Sequence, residues 1–70
     1  MKSIYSATQE ELLELTLSLG EKKFRLTQLN EWLFKRFAYS WEDMNNIPAA
    51  YRSALAERYY SLKETLEVIE

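Results

Sequence analysis

Lys22, Lys23 and Arg25 cluster where a helix is expected to begin, so free backbone N–H groups and the positive end of the helix dipole add to their charge. Groups of this kind attract phosphate. Gln28 follows one turn on, facing solvent, and Lys35 and Arg52 extend the polar surface a polyanion would meet. Catalysis has far less to work with. The chain has no His and no Cys, which removes the commonest general base, the commonest neutral metal ligand and every thiolate. Its carboxylates fall on polar helix faces without convergence. No catalytic residue and no metal site is expected.

Charge is uneven along the chain although the net value is only −2. Residues 1–20 hold one Lys and three Glu, residues 21–58 hold seven Lys/Arg and five Asp/Glu, and residues 59–70 hold one Lys and three Glu. The middle is therefore +2 and each end −2, a polarity that can guide a polyanion to one side of a small domain. No segment approaches the roughly 20 apolar residues of a membrane span, and no signal-like apolar run opens the chain. A cytoplasmic monomer that does not contact a membrane is expected.

These polar groups need a scaffold, and 70 residues allow one small core. Two Trp, three Phe and five Tyr supply bulky packing groups, while a single Gly and a single Pro leave helices uninterrupted. Thr8 followed by Glu11 has capping-box spacing and opens a helix over about 9–19, with Leu12, Leu15 and Leu19 on one face and Gly20 as its stop. Leu13 and Leu17 form a second stripe, read either as a wide core-facing arc or as contact with a partner domain. Leu26, Leu29, Trp32, Leu33 and Phe37 share one arc of a second helix, from about Arg25 to Arg36 or Phe37. Trp32 is expected to be buried among Leu12, Leu15, Leu29, Leu33 and Leu55. Phe34 lies off that arc, a candidate for exposure or interdomain contact.

Ser40 with Asp43 marks a short helical turn that carries Trp41 and Met44 inward. Pro48 suits the first turn of the next helix, capped by Asn46 or Ile47, whose inner face reads Tyr51, Leu55, Tyr59 and Leu62. Beyond Tyr60 the alternation of Leu66 and Val68 looks like the start of a strand, or else a frayed acidic tail. The expected architecture is an all-α small bundle of three main helices and one short helical turn over residues 1–62. Residues 63–70 are expected to form a linker or strand leading to an absent continuation.

The order of these pieces resembles the N-terminal accessory domain of the RlmN/Cfr family of radical S-adenosylmethionine RNA methyltransferases. The resemblance runs from about Thr8 to Tyr60 and rests on Gly20-Glu21-Lys22 leading to Phe24-Arg25, on Gln28 and Trp32, and on Met44 leading to Asn46-Ile47-Pro48. Leu26, Trp41 and Asn45 depart from the usual residues. The resemblance implies a helix-hairpin-helix-like domain that helps hold structured RNA, ribosomal or transfer, beside a catalytic barrel that methylates an adenine. It also implies S-adenosylmethionine and a four-iron four-sulfur cluster in that barrel, held by cysteines this chain does not have. Lys22, Lys23, Arg25, Gln28, Lys35 and Arg52 are then the RNA-contacting candidates, and Leu13, Leu17 and Phe34 the interdomain ones. Two other classes stay open: a helical protein-interaction module, and a helix-turn-helix DNA binder. The second helix offers the latter mainly Gln28, Glu31 and Lys35.

Overall fold

Thr8 begins the first long helix as its spacing suggests, its hydroxyl accepting the Glu11 N–H at 3.1 Å. The structure, a computed structural model, describes residues 1–69, with side chains to residue 67. Helix α1 spans Gln9–Ser18. It ends on Gly20 at φ 75°, where Gly20 N–H donates to Leu17 O at 3.0 Å and Glu21 N–H to Thr16 O at 3.1 Å. Those two bonds make a Schellman ending. The turn is complete within three residues, so Lys22 becomes the N-cap and α2, Lys23–Phe34, starts two residues earlier than the apolar spacing suggests.

Helix α2 also stops sooner than expected. Lys35 and Arg36 N–H both turn to Glu31 O at 2.9 Å, and Ala38 N–H reaches back to Trp32 O at 2.8 Å. Phe37, expected on the core face, sits instead at φ 52° and is 63% exposed. Ala38 takes its place in the core. A left-handed conformation in a residue with a side chain costs about 1–2 kcal/mol. Phe37→Gly is therefore expected to raise stability by about 0.5–1 kcal/mol, the remainder being offset by the freer unfolded chain of glycine. A thermal melt checks this, and a lower midpoint would show that the Phe37 ring contributes packing.

The turn at Trp41–Asp43 forms as its spacing indicates. The Asp43 carboxylate accepts the N–H groups of Tyr39 at 3.1 Å and Ser40 at 3.2 Å, Met44 is buried, and Trp41 packs half-buried against the core. Helix α3 runs Ala49–Arg58. Its N-cap is Pro48 rather than Asn46 or Ile47, because Pro48 at ψ 140° is still extended while its carbonyl already accepts the Arg52 N–H at 3.0 Å.

The chain end departs furthest from expectation. Strand β1, Lys2–Ser3, pairs in parallel with β2, Tyr59–Tyr60, in the register Lys2 to Tyr59 and Ser3 to Tyr60. Residues Leu62–Ile69 then form a helix, α4, and not a strand. Ser61 and Glu64 explain it: Ser61 N–H donates to the Glu64 carboxylate at 3.2 Å and Glu64 N–H to the Ser61 hydroxyl at 3.3 Å. This reciprocal cap outweighs a two-residue apolar alternation. The Val68 side chain and Glu70 lie outside the described residues. The fold is thus mostly helical, with α4 and a two-residue parallel pair added to the expected elements.

Leu12 and Leu15 of α1, Leu29 and Leu33 of α2, and Tyr51 and Leu55 of α3 meet in one core. Trp32 is not at its centre. It is half-buried at the rim, its indole N–H donating to Asn46 Oδ1 at 2.6 Å and its ring covered by the Arg36 guanidinium at 4.7 Å. An indole needs a partner for its N–H, which the rim supplies and the leucine core does not.

Within the core the polar groups form a relay. Thr16 donates to Leu12 O at 2.6 Å, which leaves its oxygen to accept from the Tyr51 hydroxyl. Burial pushes the Tyr51 phenol above its usual range, keeping it a neutral donor. Tyr51→Phe removes one hydrogen bond and leaves Thr16 satisfied, an expected loss of about 1 kcal/mol. Thr16→Val strands the buried phenol and is expected to cost about 1–3 kcal/mol. Urea melts of the two variants test the direction of the relay, since equal losses would contradict it.

Candidate nucleic-acid interface

The Gly20 turn brings Lys22, Lys23, Arg25 and Gln28 to the start of α2. Lys22 and Lys23 are exposed, and neither forms an ion pair among the described residues. No side chain caps the helix start. Glu21, Lys22, Phe24 and Arg25 border a shallow cleft of about 260 Å³ beside Gly20.

Arg25 has a different character. Its Nε lies 3.4 Å from Glu21 Oε1, its Nη1 donates to Gln28 Oε1 at 3.0 Å and to Asn46 O at 3.4 Å, and the guanidinium rests 4.8 Å above the Phe24 ring. It clamps the start of α2 to the loop before Pro48. Gln28 is half-buried and spends its carbonyl on that clamp. The two lysines therefore hold the uncommitted charge at this end.

Other candidates lie elsewhere. Lys35 is the C-cap of α2, about 18 Å along the helix axis from Lys23. Arg52, on α3, donates to Trp41 O at 3.4 Å. It lines a separate hollow of about 210 Å³ with Trp41, Glu42 and Ser53. The Trp41 Nε1 and Arg52 Nε are buried there without a partner. Leu13 is half-buried on α1, Leu17 is 50% exposed, and Phe34 is 52% exposed at the end of α2.

One carboxylate stitches β1, α1 and β2 together. Lys2 Nζ meets Glu11 at 2.9 Å, and the Tyr59 hydroxyl donates to the same group at 3.3 Å. The Lys2 ammonium holds the Glu11 carboxyl below its usual range. Its two partners explain the tie between β1, α1 and β2, which sequence spacing did not show.

Spacing also missed the exposed aromatics Phe24, Phe37 and Tyr39. Phe24 was legible in principle, since it adjoins the lysines at a helix start. Phe37 was hidden because no glycine marks the end of α2.

A family model described as the ribosomal RNA large subunit methyltransferase N-terminal domain matches residues 3–60. Among curated proteins, the chain is 40% identical over 57 residues to the probable dual-specificity RNA methyltransferase RlmN of Lactococcus lactis subsp. cremoris (strain MG1363), covering 81% of this chain and 16% of that protein. It is 41% identical over 68 residues to the protein of the same name from Enterococcus faecalis (strain ATCC 700802 / V583), covering 97% of this chain and 19% of that one. The corresponding protein of Geobacillus kaustophilus (strain HTA426) is 42% identical over 59 residues, or 84% of this chain and 16% of the relative. The chain thus spans less than one fifth of the length of these relatives. No solved structure matches it. With the family match covering residues 3–60 of 70, the chain belongs to the ribosomal RNA large subunit methyltransferase N-terminal domain family.

Proposed function

We propose that this chain is the RNA-positioning module of a radical S-adenosylmethionine RNA methyltransferase, and that it performs no methyl transfer itself. The observation that carries the reading is the family match over residues 3–60, joined to relatives whose names specify RNA methyltransferases. The exposed Lys22 and Lys23 at the start of α2 support it, because they can neutralise phosphates without unmaking an internal contact. In this reading the module ends near residue 62, residues 63–70 lead on to a catalytic part, and Leu13 and Leu17 face that part. Arg25 and Gln28 position the two lysines, while Lys35 and Arg52 contact RNA outside the entrance.

An iron–sulfur cluster does not fit these 70 residues, which contain no Cys, and no group of three His, Cys, Asp or Glu gathers as metal ligands among the described residues. S-adenosylmethionine and cluster chemistry belong, in this reading, to the remaining length of a parent protein. The RNA is a ribosomal or transfer RNA, met in the cytoplasm by a monomer. None of the helices of the described residues is long and apolar enough to cross a membrane.

Binding of fluorescently labelled structured RNA across a salt series tests the reading. Each phosphate neutralised contributes about −0.7 to −0.9 to the slope of log K against log salt, so Lys22→Ala with Lys23→Ala is expected to flatten it by about 1.4–1.8. Binding should weaken alike on all sequences, since phosphate contacts position without reading bases. An unchanged slope would remove the entrance from the interface. No RNA binding by the wild-type chain or by a parent enzyme through this module would overturn the function.

A further inference from the structure

We infer that the exit of α2, residues 34–39, is a second RNA contact that stacks unpaired bases; the inference rests on the RNA-positioning reading above. Three large aromatics crowd this short segment and face solvent: Phe34 at 52%, Phe37 at 63% and Tyr39 at 47% exposure. Lys35 and Arg36, both exposed, stand between them. There is no acid between Glu31 and Glu42, and the carboxylate of Asp43 already accepts two backbone N–H groups.

The aromatics are held in place. Phe34 meets the Tyr5 ring edge-on at 5.6 Å and 80°, and Tyr5 is itself tied to Leu33 O through its hydroxyl at 2.8 Å. Tyr39 is pinned through its backbone, donating to Asp43 and accepting the Lys63 N–H at 2.8 Å. Phe37 is displayed in a left-handed conformation at φ 52° that favours glycine. A bulky ring kept there adds nothing to the core, and strain maintained at a surface points to a use.

The mixture of rings and cations selects the occupant. A protein partner's apolar face would have to desolvate two cations to reach the rings, whereas a nucleotide offers a base to the ring and a phosphate to the cation. The Arg36 guanidinium, 4.7 Å over the Trp32 ring, adds a planar cation that a base can meet. Phe34 and Lys35 also border a hollow of about 280 Å³ with Thr27, Asn30 and Glu31, which gives the Phe34 ring a concave neighbour on α2. This assigns Phe34 an RNA-facing role in place of the interdomain contact that helix spacing alone suggests. The two ends of α2 then differ in kind: the lysines at the start hold phosphates of any RNA, and the aromatics at the exit favour RNA with bases free to stack.

The test compares binding of an oligoadenylate and of a duplex RNA of equal length by the wild-type chain and by Phe37→Gly, Phe34→Ala and Phe37→Trp. Phe37→Gly and Phe34→Ala are expected to weaken oligoadenylate binding by about 5-fold or more, the loss of one stacked base. Duplex binding and the salt slope should stay as they are. Phe37→Trp should retain binding, and because Phe37→Gly is expected to fold at least as stably as wild type, its loss cannot be ascribed to unfolding. Equal binding by all variants, with Lys22→Ala still weakening it, would overturn the stacking surface and leave the RNA-positioning reading standing. Absence of RNA binding by wild type would overturn both. Loss of self-association in the Phe variants, measured by sedimentation with oligoadenylate binding unchanged, would show a protein contact and overturn the inference.

Discussion

Tyr51→Ala is expected to lower the stability of the chain by about 3–5 kcal/mol. Tyr51 is 1% exposed, at the junction of α1 and α3, and its hydroxyl completes the relay through Thr16 to Leu12. Truncating a buried aromatic costs about 3–5 kcal/mol. A domain of this length has roughly 4–10 kcal/mol in all. The variant therefore loses from about 30% to all of its stability, and it unfolds outright where the wild type has less than about 3–5 kcal/mol. Circular dichroism with urea titration measures it. A cooperative transition within about 1 kcal/mol of wild type would mean that the core is not organised around Tyr51.

Trp32→Ala is expected to cost about 2–3 kcal/mol, less than a fully buried aromatic. The indole is half-buried, so part of its area is already in water. What is lost is the buried edge, the hydrogen bond to Asn46 at 2.6 Å and the Arg36 contact at 4.7 Å. Trp32→Phe separates these, since it keeps most of the edge and loses the Asn46 bond, an expected cost of about 1 kcal/mol. The Asn46 side chain also anchors the loop before Pro48, so amide exchange around Met44–Ile47 should quicken in both variants. Complete unfolding of Trp32→Ala would place the ring deeper than the structure does.

Local chemistry was the legible part. Thr8, Gly20, Ser40 with Asp43, and Pro48 each act within four residues, so helix starts and stops near them follow from side-chain hydrogen bonding and backbone preference. Leu12, Leu15, Leu29, Leu33, Tyr51 and Leu55 recur at helical spacing, and all six are buried. The lysines at the start of α2 were legible too, because the Gly20 turn and the helix start define their surroundings. The overlooked Ser61–Glu64 pair carried the same kind of signal, masked by the Leu66 and Val68 alternation.

What tertiary structure decided depended on neighbours remote in sequence. The amino-acid order by itself determined a small, mostly helical chain with a basic helix start and no thiolate or imidazole chemistry. It could not determine that Lys2 pairs beside Tyr59, because a two-residue strand has no pattern of its own and forms only when its partner arrives. Nor could it determine the depth of Trp32, set by whether Asn46 comes within reach of the indole N–H. Helical periodicity placed Phe37 on the core face, and the reach of Ala38 back to Trp32 O turned it to solvent. Arg25 read as free charge in one dimension, and Glu21, Gln28 and Asn46 make it a clamp in three. Periodicity reports which way a side chain leaves its own helix; the partners it meets are fixed only when the helices pack.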